Sequence, residues 1–367
     1  MLFRHDDVTR FLREPGLSVE DRRAHDTPLT QVAIDAVGER VRQGEHAMLN
    51  RDPPDHTRLR RLVSKAFTPR MVQRFRERVQ QLVDESLDRA GARGELELIG
   101  DFAFPLPFNV ISEMLGLPDT GVDIEEVRSL SGLLVSSLEP VVDPEHVKRV
   151  LAAGDRMHEL VGAATEAKRS APGDDLLSAL IAAQEDGDVL SVDELIDQVT
   201  LLYVAGHETT VNLIGNGVRA LLADPASLVQ LRADPEGLAA GAVDELLRFD
   251  SPVQMTRRIT LEEVEVGGQT IEPGAFMLLV LGSANRDPAV FGPSADRLDL
   301  ARADASSHLS FGGGRHYCLG ASLARLEAQV AIGSLVSRFG SIEPTADPVW
   351  NGRINLRGLE RLPLAVS

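Results

Sequence analysis

Apolar side chains recur at spacings of three and four through most of the first two-thirds of the chain. From Met71 to Arg89 they stand at Met71, Val72, Phe75, Val79, Leu82, Val83 and Leu87, which predicts a helix with one buried face. The same texture predicts helices over Asp101–Leu117, Val122–Leu138, Glu145–Arg169 and Asp174–Ala183. The strongest begins at Ser191. Ser191 and Glu194 have the spacing of a capping box, and the run continues to about Ala223, where Asp224-Pro225 stops it. After Phe249 the period changes. Thr260 to Val280 alternates through Val264, Val266, Ile271, Phe276, Leu278 and Val280, broken by Gly267-Gly268 and Pro273-Gly274, so a small β region of hairpins is expected. Coil rich in Pro and Gly runs from Asn285 to Ser310, followed by a helix from Cys318 to Phe339 and short strand material from Asn355 to Val366. With no internal repeat and no flexible linker, the expectation is one domain over residues 1–367, mainly α with a smaller β region (α+β).

Composition changes this picture little. Hydrophobic residues make up 43% and charged residues 26%, enough for a large core, but only 4% are aromatic, so that core rests on Leu, Val, Ile and Ala. A single cysteine excludes an intramolecular disulfide. Arg4, Asp6 and Asp7 stand where a secretory signal needs an apolar region, and no run of about 18 apolar residues offers a spanning helix. The chain reads as soluble and cytoplasmic. Its net charge of −18 argues against general nucleic-acid binding. Between Arg51 and Arg78, however, nine bases face three acids. Such an island suits an anionic ligand or an acidic partner, and equally a solvated helix face.

Chemistry concentrates in Phe311-Gly312-Gly313-Gly314-Arg315-His316-Tyr317-Cys318-Leu319-Gly320, just before a predicted helix. A helix N-terminus offers partial positive charge and free N–H donors, which lower a cysteine pKa. Flanking glycines let the backbone fold tightly and approach a flat ligand. A lone cysteine at such a place is more often structural than reactive. His316 and Cys318 fall short of the four ligands of a zinc site, and a Cys-His nucleophile has no need of three adjacent glycines.

Three further segments stand out. Glu245 and Arg248 are three apart on one helix face, a pair that commonly decorates a surface. Ala205-Gly206-His207-Glu208-Thr209-Thr210 is a poor helix interior, costing about 1–2 kcal/mol in propensity. Such rule-breaking marks function or close packing, and Gly206 could equally admit a neighbouring helix. His56 and Arg60, four apart after Asp52-Pro53-Pro54, can point at one anion.

The cysteine segment resembles the haem-binding loop of the cytochrome P-450 family, with Phe311, Gly314, His316, Cys318 and Gly320 at every fixed place of that pattern. The resemblance runs over nearly the whole chain and implies the P-450 fold, with a long central helix over a haem b and a small sheet-rich part. It makes Cys318 the axial iron ligand. It implies haem contacts from Ala205, Gly206, Phe311, Gly312, Arg315 and Gly320, and propionate donors at His56, Arg60, Arg258 and His316. Glu208 and Thr209 become the acid–alcohol pair on the distal face, one relaying protons and the other holding oxygen or its water, with Gly206 leaving room for the diatomic. His207 stands at a variable place and is expected to face away. Glu245 and Arg248 are expected to share a buried network with Arg297, although Leu298 replaces the commoner Phe beside it.

By the same resemblance, Gly38 to Leu49, the loops between Leu130 and Asp155, Leu201 to Ala205, and Val253 to Thr256 line an apolar substrate pocket. The residues do not choose among terpenoid, steroid, fatty acid or polyketide. Met1 to Val8 matches a point already inside the family's N-terminal sheet, so its opening helix and first strands are expected to be missing. The implied activity is a dioxygen-activating monooxygenase, monomeric by default, fed by a ferredoxin or flavodoxin with its NAD(P)H reductase. Alternatives are a peroxide-using or rearranging haem-thiolate enzyme and a haem-binding protein without turnover.

Overall fold

The computed structural model describes residues 1–25, 46–139, 143–185 and 188–367, together with positions 31, 35 and 38. In chain order the elements are α1 (His5–Arg13), β1 (Leu17–Ser18), α2 (Asp55–Ala66), α3 (Pro69–Arg74), α4 (Arg76–Arg93), β2 (Glu95–Glu97), α5 (Pro105–Met114), α6 (Ile124–Ser136), α7 (Pro144–Ser170), α8 (Leu176–Ala182), β3 (Gln184–Glu185), β4 (Asp188–Val189) and α9 (Val192–Ala223). The second half adds α10 (Pro225–Ala233), α11 (Pro235–Phe249), β5 (Thr256–Thr260), β6 (Val264–Val266), β7 (Gln269–Ile271), β8 (Phe276–Leu279), α12 (Leu281–Ala284), α13 (Pro288–Phe291), α14 (Ala321–Arg338), β9 (Ile342–Pro344), β10 (Val349–Trp350), β11 (Leu359–Arg361) and β12 (Pro363–Val366).

The mainly helical expectation holds, with instructive breaks. The run from Met71 to Arg89 divides at Phe75, because Thr68 caps a short α3 by accepting from the Met71 N–H and α4 restarts one residue later. The expected helix over Asp101–Leu117 splits into a wide π turn, Leu98–Ala103, and α5, which opens on Pro105. A proline cannot donate into a preceding turn, so it begins a helix rather than continuing one. The helix expected from Cys318 begins instead at Ala321, with Gly320 before it, which leaves the cysteine in the loop.

α9 runs for 32 residues through the interior. Its capping box is formed: Ser191 Oγ accepts from the Glu194 N–H (3.2 Å) and Glu194 accepts from the Ser191 N–H (2.9 Å). Around it one apolar core joins Val79, Val83 and Leu87 of α4, Val110 and Ile111 of α5, and Leu326, Val330 and Leu335 of α14. A smaller core joins Val8, Phe11 and Leu12 of α1 to Met277 and Leu279 of β8. Two three-stranded antiparallel sheets run β1-β5-β8 and β2-β12-β9, and β6-β7 form a separate hairpin turning at Gly267-Gly268. Pairing of Arg258 with Met277 turns a cation inward from β5, toward the site. No helix of the described residues is long and apolar enough to cross a membrane.

Candidate active site

The cysteine loop is built by its own backbone and by α1. The Cys318 N–H donates to the Phe311 carbonyl (2.9 Å) and the Gly312 N–H to the Leu309 carbonyl (2.8 Å), closing the segment on itself. Gly314 adopts φ +64°, and a Cβ there would come within 2.6 Å of the Leu12 carbonyl, so only glycine lets α1 lie against the loop. Arg325 of α14 sits 4.5 Å over the Phe311 ring and donates to Asp244 (2.8 Å), which fixes the ring beneath the cysteine.

Cys318 is exposed by area although protein surrounds it in most directions. These two descriptions agree for a side chain on the wall of a hollow, and the surrounding protein decides its acidity. Burial pushes the thiol up; the Gly320 and Ala321 N–H groups and the Arg60 and Arg325 guanidinia pull it down without winning. The expected lowering by the helix start is therefore outweighed by desolvation. A cation at the sulfur, such as the haem iron that the resemblance implies, would offset this and favour the thiolate.

Five nitrogen side chains gather on one side of this loop. His56 and Arg60 come from α2, Arg258 from β5, and Arg315 and His316 from the loop itself. The His56 and His316 rings lie 4.2 Å apart. Both ring nitrogens of His56 and Nε2 of His316 are buried with no partner among the described residues. Arg258 is buried and donates to the Arg257 carbonyl (2.7 Å), without an ion pair to any described carboxylate. Burial first, and then the neighbouring cations, push His56 down to about 4, His316 to about 3 and Arg258 to about 10. Crowded cations and orphaned donors are unfavourable alone and fit a bound dianion such as two propionates. Arg60 also donates to the Tyr317 carbonyl (2.6 Å), tying α2 to the loop.

α9 presents Ala205, exposed between half-buried Val204 and Gly206, and half-buried Thr209 one turn on. Thr209 Oγ1 donates to the Ala205 carbonyl (3.1 Å), leaving its lone pairs free to accept. Gly206 turns its missing Cβ toward α5 rather than toward Thr209. A Cβ there would lie 3.4 Å from Ile111 of α5, in ordinary contact, so its position faces the neighbouring helix. His207 faces away as expected, buried against Phe104 and Phe108 with Nδ1 on the Tyr203 carbonyl (2.8 Å). Glu208 accepts a hydrogen bond from Arg353 (2.5 Å), a partner not anticipated from the sequence.

Behind the loop, Glu245 and Arg248 are fully buried and joined by two hydrogen bonds of 2.6 and 2.8 Å. Arg248 also donates to the Asn285, Ala295 and Arg297 carbonyls. The third charge is a correction. Arg297 is exposed and lends only its carbonyl, while Arg302, buried in the coil, donates to Glu245 (3.2 Å). The coil has no period that orients its side chains, so two arginines five apart were indistinguishable.

The basic island is also partly redirected. Arg58 pairs with Glu194, Arg74 with Asp174 (2.5 Å) and Arg78 with Glu113 (2.7 Å), so these cations brace helices. Of the expected substrate pocket, residues 39–45 and 140–142 lie outside the described residues; Val204, Val253 and Met255 are half-buried. One buried group went unnoticed in the sequence: Glu327 of α14, fully buried with Thr210 as its nearest polar neighbour and no ion pair among the described residues, so that burial pushes its pKa well up. Its signal was present, since it falls four residues after buried Leu323 and three before buried Val330.

The sequence model of the cytochrome P450 family matches residues 33–236 and 238–352. The chain belongs to the cytochrome P450 family. Among its relatives, cytochrome P450 107B1 of Saccharopolyspora erythraea is 45% identical over 99% of this chain and 88% of that protein. Vitamin D(3) 25-hydroxylase of Pseudonocardia autotrophica is 40% identical over all of this chain and 88% of that protein. The crystal structure of P450BioI in complex with an acyl carrier protein ligated to hexadec-9Z-enoic acid superposes with a TM-score of 0.89 at 34% identity, covering all of this chain and 91% of that one. This P450 is accordingly a monooxygenase-type oxidoreductase whose cofactor is haem b, bound through the single cysteine of the chain, and which acts on a small organic substrate with dioxygen.

Proposed function

We propose that this P450 hydroxylates an apolar small molecule, working in the cytoplasm as a monomeric single domain with electrons from a ferredoxin or flavodoxin and its NAD(P)H reductase. The observation that carries the reading is the retention of Glu208 and Thr209 on α9, with Thr209 held against the Ala205 carbonyl and its lone pairs open. Haem, when bound, supplies the oxygen chemistry, and a thiolate ligand favours O–O cleavage. His56, Arg60, Arg258, Arg315 and His316 would hold its propionates, and Cys318 its iron. Thr209 orients a water or the oxygen by accepting a hydrogen bond, and Glu208 carries protons to that place. Half-buried Val204, Val253 and Met255 support an apolar substrate, as do relatives named for action on vitamin D(3) and 6-deoxyerythronolide B. Exposed Arg61, Lys65 and Arg70 support docking of an acidic electron donor on the α2–α3 side. A peroxide-using enzyme needs no such relay, so the acid–alcohol pair favours dioxygen.

The test begins with the carbon monoxide difference spectrum of the reduced, haem-loaded protein. A strongly red-shifted Soret band supports Cys318 ligation, and a band at the ordinary position counts against it. NAD(P)H consumption with a ferredoxin system, stimulated by substrate, is the second arm. In Thr209→Ala, product formed per NAD(P)H should fall by about a hundredfold, the lower end of what a positioned proton-transfer group contributes, with electrons lost as hydrogen peroxide. Well-coupled hydroxylation by that variant would remove Thr209 from the relay.

A further inference from the structure

We propose that Arg353 is a positioning residue that parks the Glu208 carboxylate, and that Glu139 holds the loop from which Arg353 acts. The inference rests on Glu208 as the proton relay. Arg353 follows β10 and reaches Glu208 at 2.5 Å, with both side chains largely buried, 24% and 16% exposed. While this pair stands, the carboxylate is held toward the C-terminal loop. Carrying a proton toward Thr209 requires it to turn away from Arg353.

The loop is held from two sides. Three successive N–H groups, of Ile354 (2.8 Å), Asn355 (2.9 Å) and Leu356 (2.8 Å), all donate to the Glu139 carboxylate just beyond the end of α6. Charge-assisted bonds of this kind are among the stronger ones a side chain makes. From the other side the Gln254 N–H donates to the Asn355 carbonyl (2.8 Å) and the Arg357 N–H to the Pro252 carbonyl (2.9 Å). Arg353 therefore hangs from a loop wedged between the end of α6 and residues 252–254, two segments expected to line the substrate pocket. On its far side Glu208 borders a cleft of about 350 Å³ between α6 and α9, lined also by Glu125, Arg128 and Ser129. The Glu208 carboxylate, carried one residue before Thr209 on α9, borders both this cleft, roomy enough for several waters, and the Arg353 guanidinium. Arg353 sets which way it turns, and a substrate pressing on either clasped segment resets Arg353.

The experiment uses haem-loaded protein without substrate, with electrons from a ferredoxin and its reductase, and measures oxygen consumption in H2O and D2O. Releasing the carboxylate in Arg353→Gln should raise the rate about fivefold, within the range seen for mutations that alter coupling, and shrink the solvent isotope effect. Arg353→Lys should restore values near the wild type. Glu139→Ala should shift both in the same direction by less, and in hydrogen exchange it should expose the amides of Ile354, Asn355 and Leu356. The double variant Arg353→Gln/Glu208→Gln should match Glu208→Gln. Acceleration separates this role from structural damage, which slows turnover. If Glu208→Gln behaves as the wild type, the relay reading fails. If Glu208→Gln is slow while Arg353→Gln is no faster than the wild type, Arg353 does not position it. Acceleration that persists without Glu208 would also overturn the proposal.

Discussion

In Cys318→Ala the red-shifted carbon monoxide band of the reduced protein disappears and turnover falls to background. The expectation follows from the shape of the loop. Its backbone closes through the Cys318 N–H and Phe311 carbonyl, neither of which the substitution touches, so the fold around it persists. No group of three or more metal-ligating side chains exists elsewhere among the described residues to take over the iron. His316, two residues away, has its ring against His56 rather than against the cysteine side chain. Haem should still associate in part through the unaltered cationic cluster, giving a Soret band at the ordinary position. The decisive measurement is the carbon monoxide difference spectrum recorded beside product formation. A variant that retained the shifted band would carry its thiolate elsewhere, which a chain with one cysteine cannot do.

Glu245→Ala should be the most destabilising substitution in the molecule outside that loop. It would leave Arg248 buried, and Arg302 nearly so, with no carboxylate between them. Removing one member of a buried ion pair costs about 3–5 kcal/mol, against a total stability of about 5–15 kcal/mol. The network also ties α11 to the coil through the Asn285, Ala295 and Arg297 carbonyls and the Asp299 N–H. Little haem-loaded protein should accumulate, read as the ratio of Soret to 280 nm absorbance, and the melting temperature should drop steeply. Arg297→Ala is the control. Because that side chain is exposed and only its carbonyl is used, the change should stay within about 0.5 kcal/mol, whereas Arg302→Ala should resemble Glu245→Ala. Equal damage from Arg297→Ala would restore the assignment suggested by resemblance alone.

What could be read in advance follows from where periodicity exists. The capping box of α9 was legible because a fixed spacing on a regular backbone decides which side chains meet. The burial of the pair on α11 and the role of the cysteine loop came instead from the family resemblance, their spacing alone allowing a surface pair and a structural cysteine. Gly206 shows the limit and how to pass it. Its residue type left a close helix and an open site equally possible and only the resemblance chose the latter, yet Ala205 is the residue four before Thr209 and therefore shares its face. Arg302 and Arg353 lie in coil, where no period orients a side chain, so neither partner could be assigned. The basic island misled for a different reason. Composition counts charges without saying which are matched, and Arg58, Arg74 and Arg78 find carboxylates from distant segments.

The contact between Leu12 and Gly314 has a consequence for when the cofactor can be captured. α1 precedes the cysteine loop by some three hundred residues, yet it rests on that loop, and His5 reaches the Ser307 carbonyl (3.0 Å) and Asp287 (2.9 Å). The cationic cluster likewise joins residue 56 to residues 258 and 316. Contacts so distant in sequence form only after the intervening chain exists, and their closure is slow. Synthesis must therefore pass Cys318 before a haem could find both the proposed cationic cradle and its sulfur ligand. Until then the apolar face of α1 that packs on β8 and on the cysteine loop stays uncovered.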